Sequence, residues 1–411
     1  MKLLIWIFLA LAPFFASGQQ MFSPDIVEIP SPCREGGESN LFVDDRGVAW
    51  LSWVEYSDDS TDVLYCSWLD KGVWAPAMEI ARGNNWFVNW ADFPSLAVFP
   101  GSDGRKIVAH WLQKSAMGTF DYDVRLSFSQ NGGKAWSPSM ILHRDRIAAE
   151  HGFVTLAPIG PGRMRAVWLD GRHTKMEGGH AEDAGHEGHH GNMSLRSAVF
   201  DDTGKILGDE ELDGKVCDCC QTDAVIGPDG AVVVYRDRSD EEIRDIYVVR
   251  EENGNWSTPY PLYRDKWLIA GCPVNGPAID RLEKQLAVVW FSSPEGKSRV
   301  QACFSRDNGK TFGRAIRVNE GIPIGRVDVE WLDAKTAAVT WMEQRDGQAV
   351  IRMRKITVGG KSYPAIDLLS TSAARSSGFP ILERDTEGLL LSTTSVDPNS
   401  RTRVKTFRIK L

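Results

Sequence analysis

The sequence lacks an excess of basic residues and lacks any apolar segment of membrane-spanning length. It contains 47 Lys and Arg against 55 Asp and Glu, a formal net charge of −8, and its basic residues form no cluster. Nucleic-acid binding, which needs a positively charged surface, is therefore not expected. The one long apolar run, residues 3–15, is short for a membrane span. Because it follows Lys2 and precedes the small residues 16–18, it predicts a signal peptide over residues 1–18.

No cysteine follows the predicted cleavage region, so the sequence does not indicate a lipid anchor. We expect an exported protein, periplasmic or secreted, with no transmembrane anchor after signal cleavage. The mature chain, residues 19–411, is long for one average domain but has an ordinary length for one closed propeller. Its 15 Trp and 38 Gly fit an all-β fold.

An aromatic residue that closes a short apolar run recurs along the chain at spacings of 58, 57, 67, 55 and 51 residues. A period of this size, filled with short strands and turns, indicates a propeller or a similar array. Each unit is one antiparallel sheet, which must pack against its neighbours to bury both of its faces. The recurring aromatic residues are Trp53, Trp111, Trp168, Tyr235, Trp290 and Trp341.

A second repeated marker is a glycine turn with a fixed pattern of polar residues. The segment SRDNGKTF fits Ser-x-Asp-x-Gly-x-Thr-aromatic in full, and SQNGGKAW fits it with Asn in place of the acid. The carboxylate or amide accepts backbone N–H groups of its own turn, and Gly permits a positive φ. The residues predicted to build these two hairpins are Ser129, Asn131, Gly133, Trp136, Ser305, Asp307, Gly309 and Phe312.

These segments resemble the Asp-box (BNR) repeat of a propeller superfamily that includes the sialidases. The resemblance covers nearly all of the mature chain. It implies a β-propeller in which the boxes are structural and lie away from the active site. Sialidases have six blades, whereas the inner strands counted here give seven units, so six blades is the alternative. The units begin near Asn40, Pro94, Gly152, Thr222, Gly276, Val327 and Gly378.

The two ends of the chain predict how the ring closes. The last unit, from Gly378 to Leu411, has three candidate strands, and a strand-like segment from Phe22 precedes the first unit. We therefore expect the N-terminal strand, near Ile26 to Ile29, to complete the C-terminal blade, which removes an open sheet edge. The predicted fold class is all-β, a single propeller of four-stranded blades.

The resemblance also implies which loops share a face. In a four-stranded blade, the loops between blades lie on the same face as the loops between the second and third strands. We call this face the rim, and nearly all of the chain's unusual polar, Cys and His residues fall on it, which predicts a binding or active site. Arginine is suited to hold an anionic ligand because its planar guanidinium group donates two parallel hydrogen bonds. The candidate ligand-binding residues are Arg34, Arg172, Arg236, Arg238, Arg326 and Arg375.

Five of the seven cysteines map to the rim, including Cys33, whereas Cys66 and Cys303 occupy equivalent third-strand positions and are expected to be packed thiols. Disulfides are the first expectation for an exported protein. A soft-metal site is the alternative, because C-x-C-C supplies two or three thiolates in one turn, which suits copper or zinc. Disulfide, metal and redox roles all stay open. The candidate ligands are Cys217, Cys219, Cys220 and Cys272.

Five of the eight histidines lie in a Gly-, Glu- and His-rich insertion at about residues 173–192. The segment has no apolar face, so a solvated loop is one expectation, and a flexible metal-binding loop is the other. His151 lies outside the insertion but on the same rim. The candidate metal-ligating histidines are His151, His173, His180, His186, His189 and His190.

The catalytic residues of sialidases cannot be transferred to this chain one by one. Sialidases, as a family, use three arginines, a Tyr nucleophile with a Glu, and an Asp acid/base. The early Arg-Ile-Pro segment is absent here, and the late Tyr has no counterpart. Asp92 is a candidate acid/base, and Tyr235 is a candidate nucleophile that also fills a repeated packing position.

Three functional hypotheses follow. The first is an exported propeller whose rim binds a small-molecule or glycan ligand, with copper or zinc held by the Cys and His loops. The second is a sialidase-like exo-glycosidase that acts on acidic sugars. The third is a non-catalytic scaffold for a protein partner, with disulfides that staple its loops.

Overall fold

The computed structural model describes residues 24–58, 60–175 and 191–411. They form seven antiparallel sheets arranged as the blades of a ring, with two three-residue 3-10 helices, Pro294–Gly296 and Arg375–Ser377. The prediction of an all-β, seven-bladed propeller is confirmed, and the six-bladed alternative is wrong. Within the described ranges, no helix has the length and apolarity needed to cross a membrane. The predicted signal peptide lies outside them.

The blades are numbered in chain order. Within each blade, the strands named below pair with their neighbours in the order given. Blades 1 to 3 consist of Gly36–Val43, Ala49–Asp58, Thr61–Asp70 and Met78–Gly83; of Ser95–Val98, Ile107–Lys114, Tyr122–Ser129 and Met140–Ile141; and of His151–Gly160, Arg163–Asp170, Ser194–Asp201 and Ile206–Asp213. Blades 4 to 6 consist of Asp223–Gly227, Gly230–Arg236, Ile246–Glu252 and Tyr260–Pro261; of Ala278–Leu282, Gln285–Ser292, Arg299–Ser305 and Ile316–Arg317; and of Ile322–Asp333, Thr336–Arg345, Gln348–Thr357 and Ile366–Thr371. Blade 7 consists of Ile381–Asp385, Gly388–Val396, Thr402–Lys410 and Asp25–Ile29. Short strands Val73–Trp74 and Asn255–Trp256 extend blades 1 and 4.

The N-terminal strand closes the ring as predicted. Asp25–Ile29 pairs antiparallel with Thr402–Lys410, so that Ile29 faces Thr406. The Thr406 hydroxyl donates to the Ile29 carbonyl oxygen at 2.7 Å and accepts from the Trp74 indole N–H at 2.8 Å. The last blade therefore holds strands from both ends of the chain, and blade 1 contacts it through Trp74.

The repeated aromatic residues fill the blade interiors. Trp53, Trp168, Tyr235, Trp290 and Trp341 are fully buried. Each donates its polar hydrogen to an acid: in three blades the acceptor lies two residues further along, as in Trp168 to Asp170 at 2.8 Å. The pairing satisfies a polar group that burial would otherwise leave without a partner. This explains why an acid so often follows the aromatic position.

Aspartates on the inner strands, or just before one in the case of Asp92, tie neighbouring blades together. Each accepts the backbone N–H of a residue in the next blade, so the contact links sheets that share no ladder. The four contacts are Asp92 to Phe153 at 2.7 Å, Asp223 to Ile279 at 2.8 Å, Asp280 to Trp331 at 2.6 Å and Asp328 to Leu382 at 2.7 Å. Burial raises the pKa of Asp92 and of Asp223 to about 7 and that of Asp328 to about 8.

The inner strands surround a central channel of about 550 Å³. Its wall carries Asp223, Asp280, Asp328, Glu330 and Glu383, on blades 4 to 7. Burial raises the pKa of the Glu330 and Glu383 carboxyls well above the ordinary range, and the neighbouring acids raise it further. The channel is therefore lined by many acids, and burial favours the neutral form of those on blades 4 to 7.

The two predicted glycine hairpins form the expected internal hydrogen bonds. The Ser305 hydroxyl donates to Asp307 Oδ1 at 2.8 Å and accepts the Gly309 N–H at 2.9 Å, while Asp307 Oδ1 also accepts the Thr311 N–H. Ser129, Asn131, Gly133 and Ala135 repeat the pattern. Gly309 and Gly133 have φ of 79° and 85°, a conformation that favours glycine.

Candidate functional site

Three cysteine thiols converge on the rim between blades 3 and 4. The Cys217 sulfur lies 3.9 Å from the Cys219 sulfur and 3.7 Å from the Cys220 sulfur. All three sulfurs lie within 4.8 Å of one another. We call Cys217, Cys219 and Cys220 the cysteine cluster. Both Cys217 and Cys220 are only 1% exposed.

Local backbone pairing brings these thiols together. Val216 bridges to Asp237, and the Cys217 N–H donates to the Arg236 carbonyl oxygen at 3.0 Å. The loop thus runs beside the end of the second strand of blade 4 before it turns into the inner strand that begins at Asp223. The turn places Cys217 and Cys220 on its inner side.

Hydrogen-bond donors from blade 4 and the following loop point at the cluster. Arg244 Nη1 lies 3.2 Å from the Cys217 sulfur, and the Asn275 backbone N–H lies 3.4 Å from the Cys220 sulfur. Arg244 is itself held by Glu242 and Asp218 at 2.9 and 3.1 Å. Because such donors favour the charged form of sulfur, they suit a cluster that carries thiolates.

Cys272 belongs to the same site but comes from the loop between blades 4 and 5. Its thiol is exposed, and a hydrogen bond with Cys219 lowers its pKa. Burial raises the pKa of Cys217 to about 11. Burial alone would raise the pKa of Cys220 as well, but hydrogen bonds with Cys217 and Cys219 and the charge of Arg236 lower it. The site therefore combines two thiols of lowered pKa, Cys220 and Cys272, with two of raised pKa, Cys217 and Cys219.

All seven cysteines are free thiols in the structure. Cys66 and Cys303 are buried on third strands of blades 1 and 5, where burial raises the pKa of the Cys66 thiol to about 12. Cys33 is buried as well, and burial raises its pKa to about 12. These three thiols are suited to packing rather than to ligand binding.

His151 lies in a second rim cluster, separate from the cysteines. Its Nδ1 atom is 3.1 Å from the carbonyl oxygens of Tyr122 and Ala149, and its Nε2 atom is 3.2 Å from Asp145 Oδ2. The ring stacks on His143 with 3.6 Å between centroids and 4° between planes. A metal ion lies in the plane of its imidazole ligands, so two parallel rings at this separation cannot share one ion.

The carboxylates beside His151 are already paired with a guanidinium group. Arg172 Nη2 lies 2.7 Å from Asp170 Oδ2 and 3.1 Å from Asp145 Oδ2, and Arg172 Nε lies 2.7 Å from Asp170 Oδ1. The cluster therefore contains its own cation. His173 is exposed and lies 3.1 Å from Glu211, whereas His180, His186, His189 and His190 lie outside the described residues.

Asp92 joins a group of buried acids that also borders the cysteines. The Tyr122 hydroxyl donates to Glu150 Oε1 at 2.9 Å and to Asp92 Oδ2 at 3.4 Å. Burial raises the pKa of Glu150 well above its ordinary range, and the negative charges of Asp218, Asp92 and Cys272 raise it further. Sequence analysis did not single out Tyr122, because it begins a third strand and lies outside the repeated aromatic set.

Two of the predicted ligand-binding arginines are buried and bonded to backbone carbonyls. Arg236 donates to the carbonyl oxygens of Asn275, Arg244 and Phe291 at 2.7–3.2 Å and stacks on Trp267. Arg326 donates to Gly378 O and Ser377 Oγ at 2.7 Å and lies over the Trp90 ring. Their described contacts fix loops between blades, and ligand binding by either residue stays a prediction.

The remaining candidates do not share one partner. Arg238 forms an ion pair with Glu242 at 2.5 Å. Arg172 is held by Asp170, and Arg375 is exposed with its guanidinium 6.0 Å from the Trp90 ring centroid. Arg34 is exposed, and its backbone N–H donates to Glu55. Tyr235 donates to Asp213 Oδ2 at 2.6 Å from a fully buried position, which is a packing role.

The fold and this rim define the chain as a seven-bladed β-propeller with a cysteine-rich loop site. No protein-family model and no curated protein matches the sequence. Among solved structures, a Dyadobacter fermentans protein of unknown function is similar, with a TM-score of 0.53, 12% identity and coverage of 94% of this chain and 98% of that one. The polysaccharide lyase Uly1 is similar with a TM-score of 0.56, 9% identity and the same coverage. A Hadza microbial sialidase gives a TM-score of 0.42 at 12% identity over 75% of this chain and 63% of that one. At these identities the first two similarities show a shared fold and nothing further.

Proposed function

We propose that the chain is an exported Asp-box propeller whose rim binds a soft metal ion, copper(I) or zinc(II), through Cys217, Cys219 and Cys220. The spacing of the sulfurs carries this proposal. With metal–sulfur bonds of about 2.3 Å, two thiolates on one ion lie roughly 3.8–4.0 Å apart in tetrahedral or trigonal geometry. The pairs at 3.7 and 3.9 Å match that separation.

The surroundings of the cluster support the same function. The donors from Arg244 and Asn275 contact the sulfurs of Cys217 and Cys220, and such contacts orient a metal-binding sulfur and favour its charged form. Arg236, whose charge also acts on Cys220, adds a second cation nearby. Two arginines offset the negative charge that several thiolates on one monovalent or divalent ion would carry in a buried place.

A competition titration tests the proposal. Purified mature protein, reduced and free of oxygen, should take one Cu(I) ion from a chromogenic chelator. The Cys220→Ser variant should lose most of that affinity. Cys303→Ser is the matched control, because it also removes one buried thiol but lies inside blade 5 and should bind as the wild type does. Equal binding by Cys220→Ser and the wild type would refute the metal role of the cluster.

The proposal also covers two other parts of the rim. The His-rich insertion, with the exposed His173 at its start, is proposed as an auxiliary metal-binding loop. A small-molecule or glycan ligand, or a protein partner, is proposed to contact the remaining rim residues. Removal of residues 176–190 should leave the first Cu(I) equivalent in place and lower the capacity for further equivalents.

A second candidate function is glycoside cleavage, favoured by one observation. Asp92 and Glu150 share the Tyr122 hydroxyl, and burial holds the pKa of both carboxyls high enough to donate a proton near neutral pH. A panel of acidic and neutral glycosides tests it. Turnover that is lost in Glu150→Gln but kept in Cys220→Ser would support this function, and no turnover of any substrate would count against it.

A further inference from the structure

The four thiols of the rim site form a series from exposed to buried. Cys272 is exposed, Cys219 is partly buried, and Cys217 and Cys220 are buried. Cys219 lies between the two ends of this series: its sulfur is 3.9 Å from the Cys217 sulfur, and it is close enough to Cys272 to act on the pKa of that thiol. A continuous path of sulfur ligands therefore leads from solvent to the interior.

The loop that carries Cys272 is fixed at both ends and is less constrained between them. On the near side the Ile269 N–H donates to the Glu242 carbonyl oxygen at 3.0 Å, and within the loop the Pro273 carbonyl oxygen accepts from Asn275 Nδ2 at 3.1 Å. At the buried end, the Asn275 N–H reaches the Cys220 sulfur, and the Gly276 N–H donates to Gln221 Oε1 at 2.9 Å. In contrast, none of the described backbone–backbone hydrogen bonds involves residues 270–274. The Cys272 segment can therefore shift without breaking the ladder of either neighbouring blade.

We propose that Cys272 is the exposed thiol through which a soft cation reaches and leaves the cysteine cluster. This inference rests on the proposed metal-binding function. The cation would arrive as a labile complex with a small thiol or with an exposed thiolate of a partner protein. The Cys272 sulfur bonds to the ion as the bond to the incoming donor breaks, and the thiol proton passes to solvent. The ion then moves to Cys219 and the buried sulfurs with no change in oxidation state.

The test separates the rate of metal uptake from its extent. Reduced mature protein is mixed with the Cu(I)–bicinchoninate complex in an anaerobic stopped-flow instrument, and the loss of the coloured complex is followed. Wild type should show a fast phase. Cys272→Ser should lose the fast phase but reach the same final amplitude, because the buried cluster is intact. Ala270→Ser, a change in the same loop that leaves Cys272 in place, should behave as the wild type does.

Each outcome has a distinct meaning. Equal rates in Cys272→Ser and wild type would overturn the exchange role and leave the metal-binding proposal standing. Loss of the final amplitude in Cys272→Ser would also overturn it, because Cys272 would then be a permanent ligand. A wild type that takes no Cu(I) would refute the proposed function itself, and with it this inference.

Discussion

Arg244 donates a hydrogen bond to the sulfur of Cys217 across 3.2 Å, and both groups are buried. Here Glu242 and Asp218 hold the guanidinium in position while one N–H remains aimed at sulfur. The relationship links the charged loop of blade 4 to the cysteine cluster.

Replacing Arg244 should weaken metal binding without removing it. In Arg244→Gln we expect the Cu(I) affinity to fall by about 10- to 100-fold, the range typical when a residue that hydrogen-bonds a metal ligand is replaced. The measurement is a chelator competition at constant pH. Arg238→Gln is the matched control, because Arg238 also pairs with Glu242 but no described contact joins it to a sulfur. An unchanged affinity in Arg244→Gln would show that the contact is only structural.

Removing the N-terminal strand should destabilise the whole ring. A chain that starts after Pro30 loses the pairing of Asp25–Ile29 with Thr402–Lys410 and exposes a strand edge. With net hydrogen-bond contributions of about 1 kcal/mol each, we expect the free energy of unfolding to fall by several kcal/mol. Denaturant unfolding should be compared with that of a chain that starts at Ser23. Equal midpoints for the two chains would contradict the closure.

The buried aspartates between blades predict a pH dependence of stability. In the folded protein burial raises the pKa of Asp92 and Asp223 to about 7 and that of Asp328 to about 8, whereas an unfolded Asp titrates near pH 4. Between these values the folded state binds more protons, so the free energy of unfolding should fall as pH rises from about 4 to about 8. Thermal unfolding of metal-free protein measures this.

The variant Asp328→Asn provides the control for the pH experiment. The amide keeps an acceptor for the Leu382 N–H but does not ionise. Its melting temperature should therefore vary less between pH 5 and pH 8 than that of the wild type. A wild-type melting temperature that rises across this range would contradict the assignment of neutral aspartates.

Much of the architecture could be predicted because it repeats. The aromatic positions mark second strands, and five of the six are fully buried. The strand near Ile26 is recognisable because the last unit is one strand short. Local patterns of this kind specify each blade, and the ring follows from stacking them.

The roles of the rim arginines could not be predicted in the same way. The acceptors of Arg236 are carbonyl oxygens of Asn275 and Phe291, which come from the next loop and the next blade. Nothing near Arg236 in the sequence indicates that its side chain would reach these carbonyl oxygens. The Tyr122–Glu150 contact likewise joins residues 28 positions apart, through the approach of a strand end and a loop. Such contacts depend on how the blades pack.

Cysteine spacing was informative but left the chemistry open. C-x-C-C predicted that thiols would gather, and the structure brings three sulfurs within 4.8 Å. The sequence could not show that Arg244 and Asn275 donate to them. That information separates a site suited to thiolates from an ordinary pair of cysteines, and it comes from residues 27 and 55 positions away along the chain.

Native mass spectrometry of the chain from residue 19 onward tests the central claim most directly. The account predicts one copper or zinc ion per chain with Cys217, Cys219, Cys220 and Cys272 all reduced after the metal is removed. It also predicts that Cys217→Ser/Cys219→Ser/Cys220→Ser protein folds but carries no ion at this site. A metal-free wild-type chain whose mass lacks the hydrogens of these thiols, with peptide mapping that finds disulfides among them, would contradict the account.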